Sequence, residues 1–171
     1  MKIAVLSDTH VGQRIAAFPR NFLQELRPFD AIIHCGDYAN IEAAELFQDL
    51  PGFSGVRGNM DDAEVQSFLP ETINLEIGGL RIGAIHGWGN SDGLAHKIVS
   101  AIEDVYPDSK FNIMLFGHAH EPFKDAIGET LVLNPGAFSG NKDSSFGSWG
   151  ILTIEDSHIE WELKMFDPKG L

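Results

Sequence analysis

Five short apolar runs, each ending in residues able to hold a cation, constrain this chain more than any other feature. Lys2–Leu6 runs into Asp8 and His10, Ala31–Ile33 into Asp37, and Phe53–Val56 into Asn59. Leu80–Ile85 runs into His86, and Phe111–Phe116 into His118 and His120. Short apolar runs bounded by glycine and polar residues read as buried strands. In open α/β sheets, ligands bind in the crevice beyond the carboxyl ends of the strands. Hard oxygen and imidazole donors delivered to one such crevice have the layout of a two-cation hydrolytic site.

The segments between these runs fix the class. Pro19 opens a helix with Phe18, Phe22, Leu23 and Leu26 on one face, and Pro28 ends it. Asn40 caps a second helix over Ile41–Leu50, stopped by Pro51-Gly52. This strand–helix alternation predicts a parallel sheet with helices on its faces. Asp61–Pro70 reads as loop with a short helical turn. Gly78-Gly79 joins Ile73–Ile77 and Leu80–Ile85 as a hairpin. Ser91 or Asp92 starts a helix that turns Leu94, Ala95, Ile98, Val99, Ile102 and Val105 inward, and Pro107 ends it.

Two more hairpins follow, one at Gly128-Glu129 and one at Asp156-Ser157. In the last strand Ile159, Trp161, Leu163 and Met165 alternate with His158, Glu160, Glu162 and Lys164, which predicts one packed and one wet face. Asn141–Ser148 reads as a polar loop. With no repeat or linker, residues 1–171 are expected to form a single domain.

Charge and cysteine usage narrow the function. A net charge of −13 with only 12 Lys and Arg, unclustered, argues against a long nucleic acid as substrate. Two divalent cations would make the site locally positive and suit a small anionic substrate. Cys35, the one cysteine, reads as a small buried filler rather than a catalytic thiol. No run has the length of a membrane span and the first run lacks signal-peptide architecture, so a cytoplasmic protein that does not enter a membrane is expected.

The donors come in informative pairs. Asp8 and His10, like His118 and His120, are two apart, and in extended backbone that spacing puts both side chains on one side. Asp37 follows Gly36 and has two oxygens, enough to bridge two ions. Asn59 offers a neutral amide oxygen. Of the other histidines, His34 reads as packed in the second strand or its exit, and His96 and His158 as solvated.

Taken in order, SDTH, GD, GNMD, HG and GHAH resemble the calcineurin-like metallophosphoesterase superfamily across nearly the whole chain. The likeness is strongest to its small capless phosphodiesterases, a group that includes relatives of the retromer subunit, and Asn134–Ala137 (NPGA) is similar to that group's NPGS. The resemblance implies a four-layer α/β/β/α sandwich of two mixed sheets flanked by helices. It implies one divalent ion on Asp8, His10, Asp37 and His120, and another on Asp37, Asn59, His86 and His118. Asp37 would bridge them, and a solvent hydroxide between the ions would be the nucleophile in place of any protein side chain. Manganese is the expected metal, with iron, nickel or zinc compatible with the same donors.

Two positions depart from the pattern. Met60 stands where many members carry a proton-donating histidine. Acid catalysis is worth ~10²–10⁴-fold, so esters with poor leaving groups are expected to react slowly. Trp88 stands where small members often have a second histidine, and is a candidate wall for a nucleobase or aryl group. Arg57 is a candidate phosphate contact, or a partner for a surface carboxylate. The leading expectation is a metal-dependent phosphodiesterase acting on a small diester, with Asn59, Arg57 and Trp88 touching substrate. The alternatives are a non-catalytic scaffold of the retromer-subunit type, or a phosphomonoesterase. Oligomeric state is open, a homo-oligomer included.

Overall fold

The apolar runs sort into two sheets that share one core. The computed structural model describes residues 1–141 and 146–168. Along the chain the elements are β1 (Lys2–Leu6), α1 (Arg20–Leu26), β2 (Ala31–His34), α2 (Ile41–Glu45), β3 (Phe53–Gly55), α3 (Ala63–Phe68), β4 (Thr72–Ile77) and β5 (Leu80–Ile85). They continue with α4 (Leu94–Val105), β6 (Ile113–Leu115), β7 (Pro122–Ile127), β8 (Thr130–Pro135), β9 (Gly147–Glu155) and β10 (His158–Phe166). One sheet has the order β10-β9-β1-β2-β3 and the other β4-β5-β6-β8-β7. Each has a parallel centre, β1-β2-β3 in one and β5-β6-β8 in the other, with antiparallel strands added outside.

Strand alternation then builds four layers. Ile3 and Val5 of β1 and Ile33 of β2 face the second sheet, where they meet Ile82, Ile113 and Leu115. Ala4, Leu6 and Ile32 face the other way, onto Phe18, Phe22 and Phe47 around the first helices. On the far side, Ile98 and Ile102 of α4 cover Met114 and Phe116. Two mixed sheets packed face to face, with helices outside, is the expected class. Register sets where the chain leaves each sheet. Leu6 pairs with His34, and His34 with Gly55, so β1, β2 and β3 end level and release their polar residues at one edge. In the second sheet Ala84, Leu115 and Leu133 are level in the same way.

Local chemistry explains the turns and caps. Gly78 and Gly79 both take positive φ, +61° and +77°, as a two-residue hairpin of this twist demands. Asp156 and Ser157 do the same at +48° and +67° without glycine. Asn40 and Asp62 cap α2 and α3, accepting from the amides of Ala43 and Val65.

Several expectations need correction. The second helix stops as α-helix at Glu45 and continues to Leu50 only as tighter turns, with amides reaching three residues back. The fourth begins at Leu94 behind a left-handed Gly93, not at Ser91 or Asp92. Val105 is 55% exposed rather than inward, and lies outside the cluster that Ile98 and Ile102 make with the second sheet. Met165 is 62% exposed, while Phe166 on the opposite face stacks near Phe22 and Phe138. The wet and dry faces of β10 thus exchange along its length: Ile159 and Trp161 oppose the second sheet, whereas the other end lies under α1. Of the expected loop Asn141–Ser148, Gly147 and Ser148 belong to β9, and residues 142–145 lie outside the described residues. Among the described residues no helix is long and apolar enough to cross a membrane.

This packing sets a contrast testable by urea unfolding. Ile33→Ala, in the core between the sheets, should cost about 2–5 kcal/mol. Val105→Ala should stay within about 0.5 kcal/mol. Equal costs would contradict the layering.

Candidate metal centre

Every expected donor lies at the edge where the parallel strands end, but the backbone reaches it by an unexpected route. Asp8, His10, Asp37, His118 and His120 all have left-handed backbone, with φ between 45° and 66°. The extended geometry expected for the i, i+2 pairs is absent. Each donor pair is instead carried on a sharply turning loop. Left-handed backbone costs an L-residue about 1–3 kcal/mol at such sites, so surrounding bonds must hold it. They do: Asp8 N donates to Gly36 O at 2.9 Å, His10 N to Asp37 O at 3.0 Å, and Gly117 N to His86 O at 3.0 Å. The two residues after NPGA add Phe138 N to Ser7 O at 2.9 Å and Ser139 Oγ to Asp8 O at 2.8 Å. Two glycines are required by close approach. A Cβ at Gly58 would overlap the Asp37 carboxylate, and one at Gly117 would overlap the Ser7 hydroxyl.

Two groups of donors meet at Asp37. In the first, ligand atoms of Asp8, His10, Asp37 and His120 lie within 4.8 Å of one another. His120 Nε2 is 2.9 Å from Asp8 Oδ1, and the two Nε2 atoms of His10 and His120 are 3.2 Å apart. In the second, His86 Nε2 lies 3.3 Å from Asp37 Oδ2, and His118 Nδ1 lies 2.9 Å from Asn59 Oδ1. The His86 and His118 rings meet edge-on at 5.4 Å. Asp37 Oδ2 is also 3.6 Å from His10 Nε2, so one oxygen faces both groups.

These contacts fit cation binding better than internal hydrogen bonding. Asp8 Oδ1 and His86 Nε2 are buried without an aligned hydrogen bond, although His120 and Asp37 stand close to them. Ligands at right angles, about 2.1 Å from one ion, sit about 3 Å from each other, the spacing seen here. The outer nitrogens support this. His86 Nδ1 donates to Cys35 O at 2.7 Å, and His118 Nε2 to Gly89 O at 2.9 Å. Each bond fixes the tautomer that turns a lone pair inward.

Electrostatics agree. Burial pushes the Asp8 carboxyl up, but His10 and His120 beside it, with the His86 charge, hold it well below the usual carboxylate range. Asp37 is likewise burdened by burial, yet His86 and the Met60 amide bring it below its ordinary value. Burial lowers His86, but Asp37, Asp8 and the Cys35 carbonyl outweigh it and raise it to about 9. Both carboxylates are therefore ionised at neutral pH, and His86 holds a proton that an ion must displace.

Three supporting residues lie outside the expected donor set. Asp61, nearly buried, accepts from Gly58 N at 2.7 Å, Ala39 N at 2.8 Å and Asp37 N at 3.2 Å. One carboxylate thus ties the Asp37 loop to the Asn59 loop. Burial raises its pKa, partly offset by the Gly58 and Ala39 amides. His34 is packed as expected, stacked on Tyr38 at 3.8 Å, and burial drives its pKa down to about 3. As a neutral ring it accepts from Gly36 N at 3.2 Å and approaches Thr9 Oγ1 at 3.3 Å, under both aspartate loops. Asn134 donates to Gly117 O at 2.7 Å and steadies the approach to His118. Cys35 is buried with its thiol pKa raised, as a filler should be. His96 and His158 are exposed. Arg57 pairs with Glu71 at 3.0 Å and donates to Gln66 O at 3.1 Å, while Met60 and Trp88 are about half exposed.

Residues 1–157 match the family described as the calcineurin-like phosphoesterase superfamily domain. A probable metallophosphoesterase of Methanocaldococcus jannaschii is 35% identical over 140 residues, covering 80% of this chain and 68% of that protein. A second protein of the same organism, named a phosphodiesterase, is 25% identical over 157 residues, covering 82% and 86%. The crystal structure of Entamoeba histolytica Vps29 with zinc superposes with a TM-score of 0.72 at 24% identity, covering 98% of this chain and 99% of that one.

Two predictions follow from the geometry. Asp61→Ala leaves buried amides unpaired and should cost on the order of 3 kcal/mol. It should also weaken metal binding about 10–100-fold in titrations, and unchanged affinity would show that the loops hold without it. Because His86 keeps its proton up to about pH 9, Mn²⁺ affinity should rise with pH between 6.5 and 8.5. The slope should approach, and not exceed, about tenfold per pH unit for the His86 proton, and should lessen in His86→Gln. A flat profile would remove His86 from the ligand set.

Proposed function

The chain belongs to the calcineurin-like phosphoesterase superfamily, and from that membership we propose that it is a dinuclear metal-dependent phosphodiesterase acting on small diesters. The observation that carries the reading is Asp37, whose Oδ2 stands 3.6 Å from His10 Nε2 in one donor group and 3.3 Å from His86 Nε2 in the other. One carboxylate serving two groups is how a protein holds two ions close together. Divalent ions bound there supply Lewis acidity at a phosphoryl oxygen and lower the pKa of water toward about 7. The mixed carboxylate, amide and imidazole set suits Mn²⁺, with Fe, Ni and Zn accommodated by the same ligands.

The chain's own residues do the rest. Asp8, His10, Asp37 and His120 form one ligand set, and Asp37, Asn59, His86 and His118 the other. Asp8 and Asp37 offset part of the cation charge, while neutral Asn59 leaves an excess of positive charge facing substrate. The Met60 amide, 2.7 Å from Asp37 Oδ1, holds the bridge in place. The Met60 side chain is exposed and has no proton to give a leaving group. Diesters with good leaving groups are therefore the favoured substrates. Preference for diesters over monoesters rests on the relative named a phosphodiesterase. A scaffold reading has one observation in its favour, the half-exposed Met60 and Trp88 at the mouth, but a scaffold has no need of a full donor set.

Bis(p-nitrophenyl) phosphate with Mn²⁺ tests the proposal. Asp37→Ala and His86→Ala should lose at least about 10²-fold in kcat, the scale of a lost electrostatic contact to the reacting group. Wild-type activity in either variant, or faster cleavage of p-nitrophenyl phosphate than of the diester, would count against it.

A further inference from the structure

Beside the donor groups lies a cavity of about 290 Å³ that shares Asn59 and His86 with the second of them. The cavity therefore opens directly onto the candidate centre, within reach of an ester group of a phosphoester bound there. Its other walls include Arg57, Gln66, Ile85 and Trp88. Ile85 makes an apolar floor next to His86. Arg57 is not a free phosphate clamp: one terminal nitrogen is held by Gln66 O and the other by Glu71, so its charge is partly met and its plane is fixed. Trp88 is 47% exposed and lines this cavity. Its loop is fastened to the centre, because the carbonyl of the next residue, Gly89, accepts from His118 Nε2. The backbone beside Trp88 is thus tied to a metal-ligand candidate.

The walls are an indole and an anchored guanidinium, both flat π systems that attract aromatic faces. The volume is at the lower limit of small-molecule sites, about 300 Å³, enough for one ring system and too small for a long chain. We propose that this cavity is a subsite for a flat aromatic or heteroaromatic ester group, a nucleobase or an aryl ring, stacked on Trp88. The inference rests on the phosphodiesterase reading above and adds the class of substrate: aryl or nucleoside phosphodiesters over alkyl ones.

The test is binding, measured by calorimetry on the Mn²⁺-loaded protein. Adenosine 5′-monophosphate and ribose 5-phosphate differ only in the base; phenyl phosphate and ethyl phosphate make the matching pair for a simple ring. At least one ring-bearing compound should bind about tenfold tighter than its partner, the scale of one base–aromatic stack. That ratio should collapse toward unity in Trp88→Ala and be largely kept in Trp88→Phe. The pair showing the preference tells nucleotide from aryl chemistry. Ratios near unity in the wild type, or a ratio indifferent to Trp88→Ala, would overturn the subsite and leave the phosphodiesterase reading standing. Failure of all four compounds to bind would overturn the subsite, while the phosphodiesterase reading is decided separately by cleavage of bis(p-nitrophenyl) phosphate.

Discussion

Two buried carboxylates converging on one point are the constraint around which this protein is organised. Asp8 is fully buried and Asp37 nearly so, and among the described residues their ion-pair partners are histidines rather than Lys or Arg. An uncompensated buried carboxylate is costly enough that it ordinarily takes up a proton. Here His10, His120 and His86, with the amides of Met60 and His118, keep both ionised. The arrangement is self-consistent only if imidazoles and amides stay in place, and most of the surrounding loop structure serves that end.

The loops do so by accepting local strain in exchange for tertiary bonds. Left-handed backbone at five donors would relax in a free peptide. Asp61 prevents this on one side by gathering amides from two loops, and the two residues after NPGA do so on the other by bracing Ser7 and Asp8. Gly58 and Gly117 are glycines because the chain passes too close to Asp37 and Ser7 for any side chain.

What the sequence revealed follows from the range of each interaction. Strand runs, hairpins at Gly78-Gly79 and Asp156-Ser157, and the cap Asn40 are local, and the strand–helix order was legible from periodicity. That the candidate donor side chains gather at one edge was legible from the strand ends they follow. Their geometry was not: two-residue spacing implied extended backbone, whereas tertiary bonds enforce left-handed turns. Asp61 was unreadable because its partners are backbone amides of other loops, and Gly-Asn-Met-Asp looks like an ordinary turn. Glu71, which occupies Arg57, lies on a later segment. Val105 and Met165 were misread because periodicity gives a face its direction, not the extent of the surface opposite it.

The donors hang from different sheets. Asp8, His10, Asp37 and Asn59 follow strands of the first, while His86, His118 and His120 follow strands of the second. The His118 amide already crosses the seam to Asp8 Oδ2 at 3.0 Å. Alignment of the centre is thus inherited from the contact of Ile33 and Val5 with Ile82 and Leu115, well inside the molecule. A sideways slip between those two layers would leave each loop intact and still pull the candidate donors of one sheet out of reach of those of the other. The hydrophobic interior acts as the jig that holds them opposed.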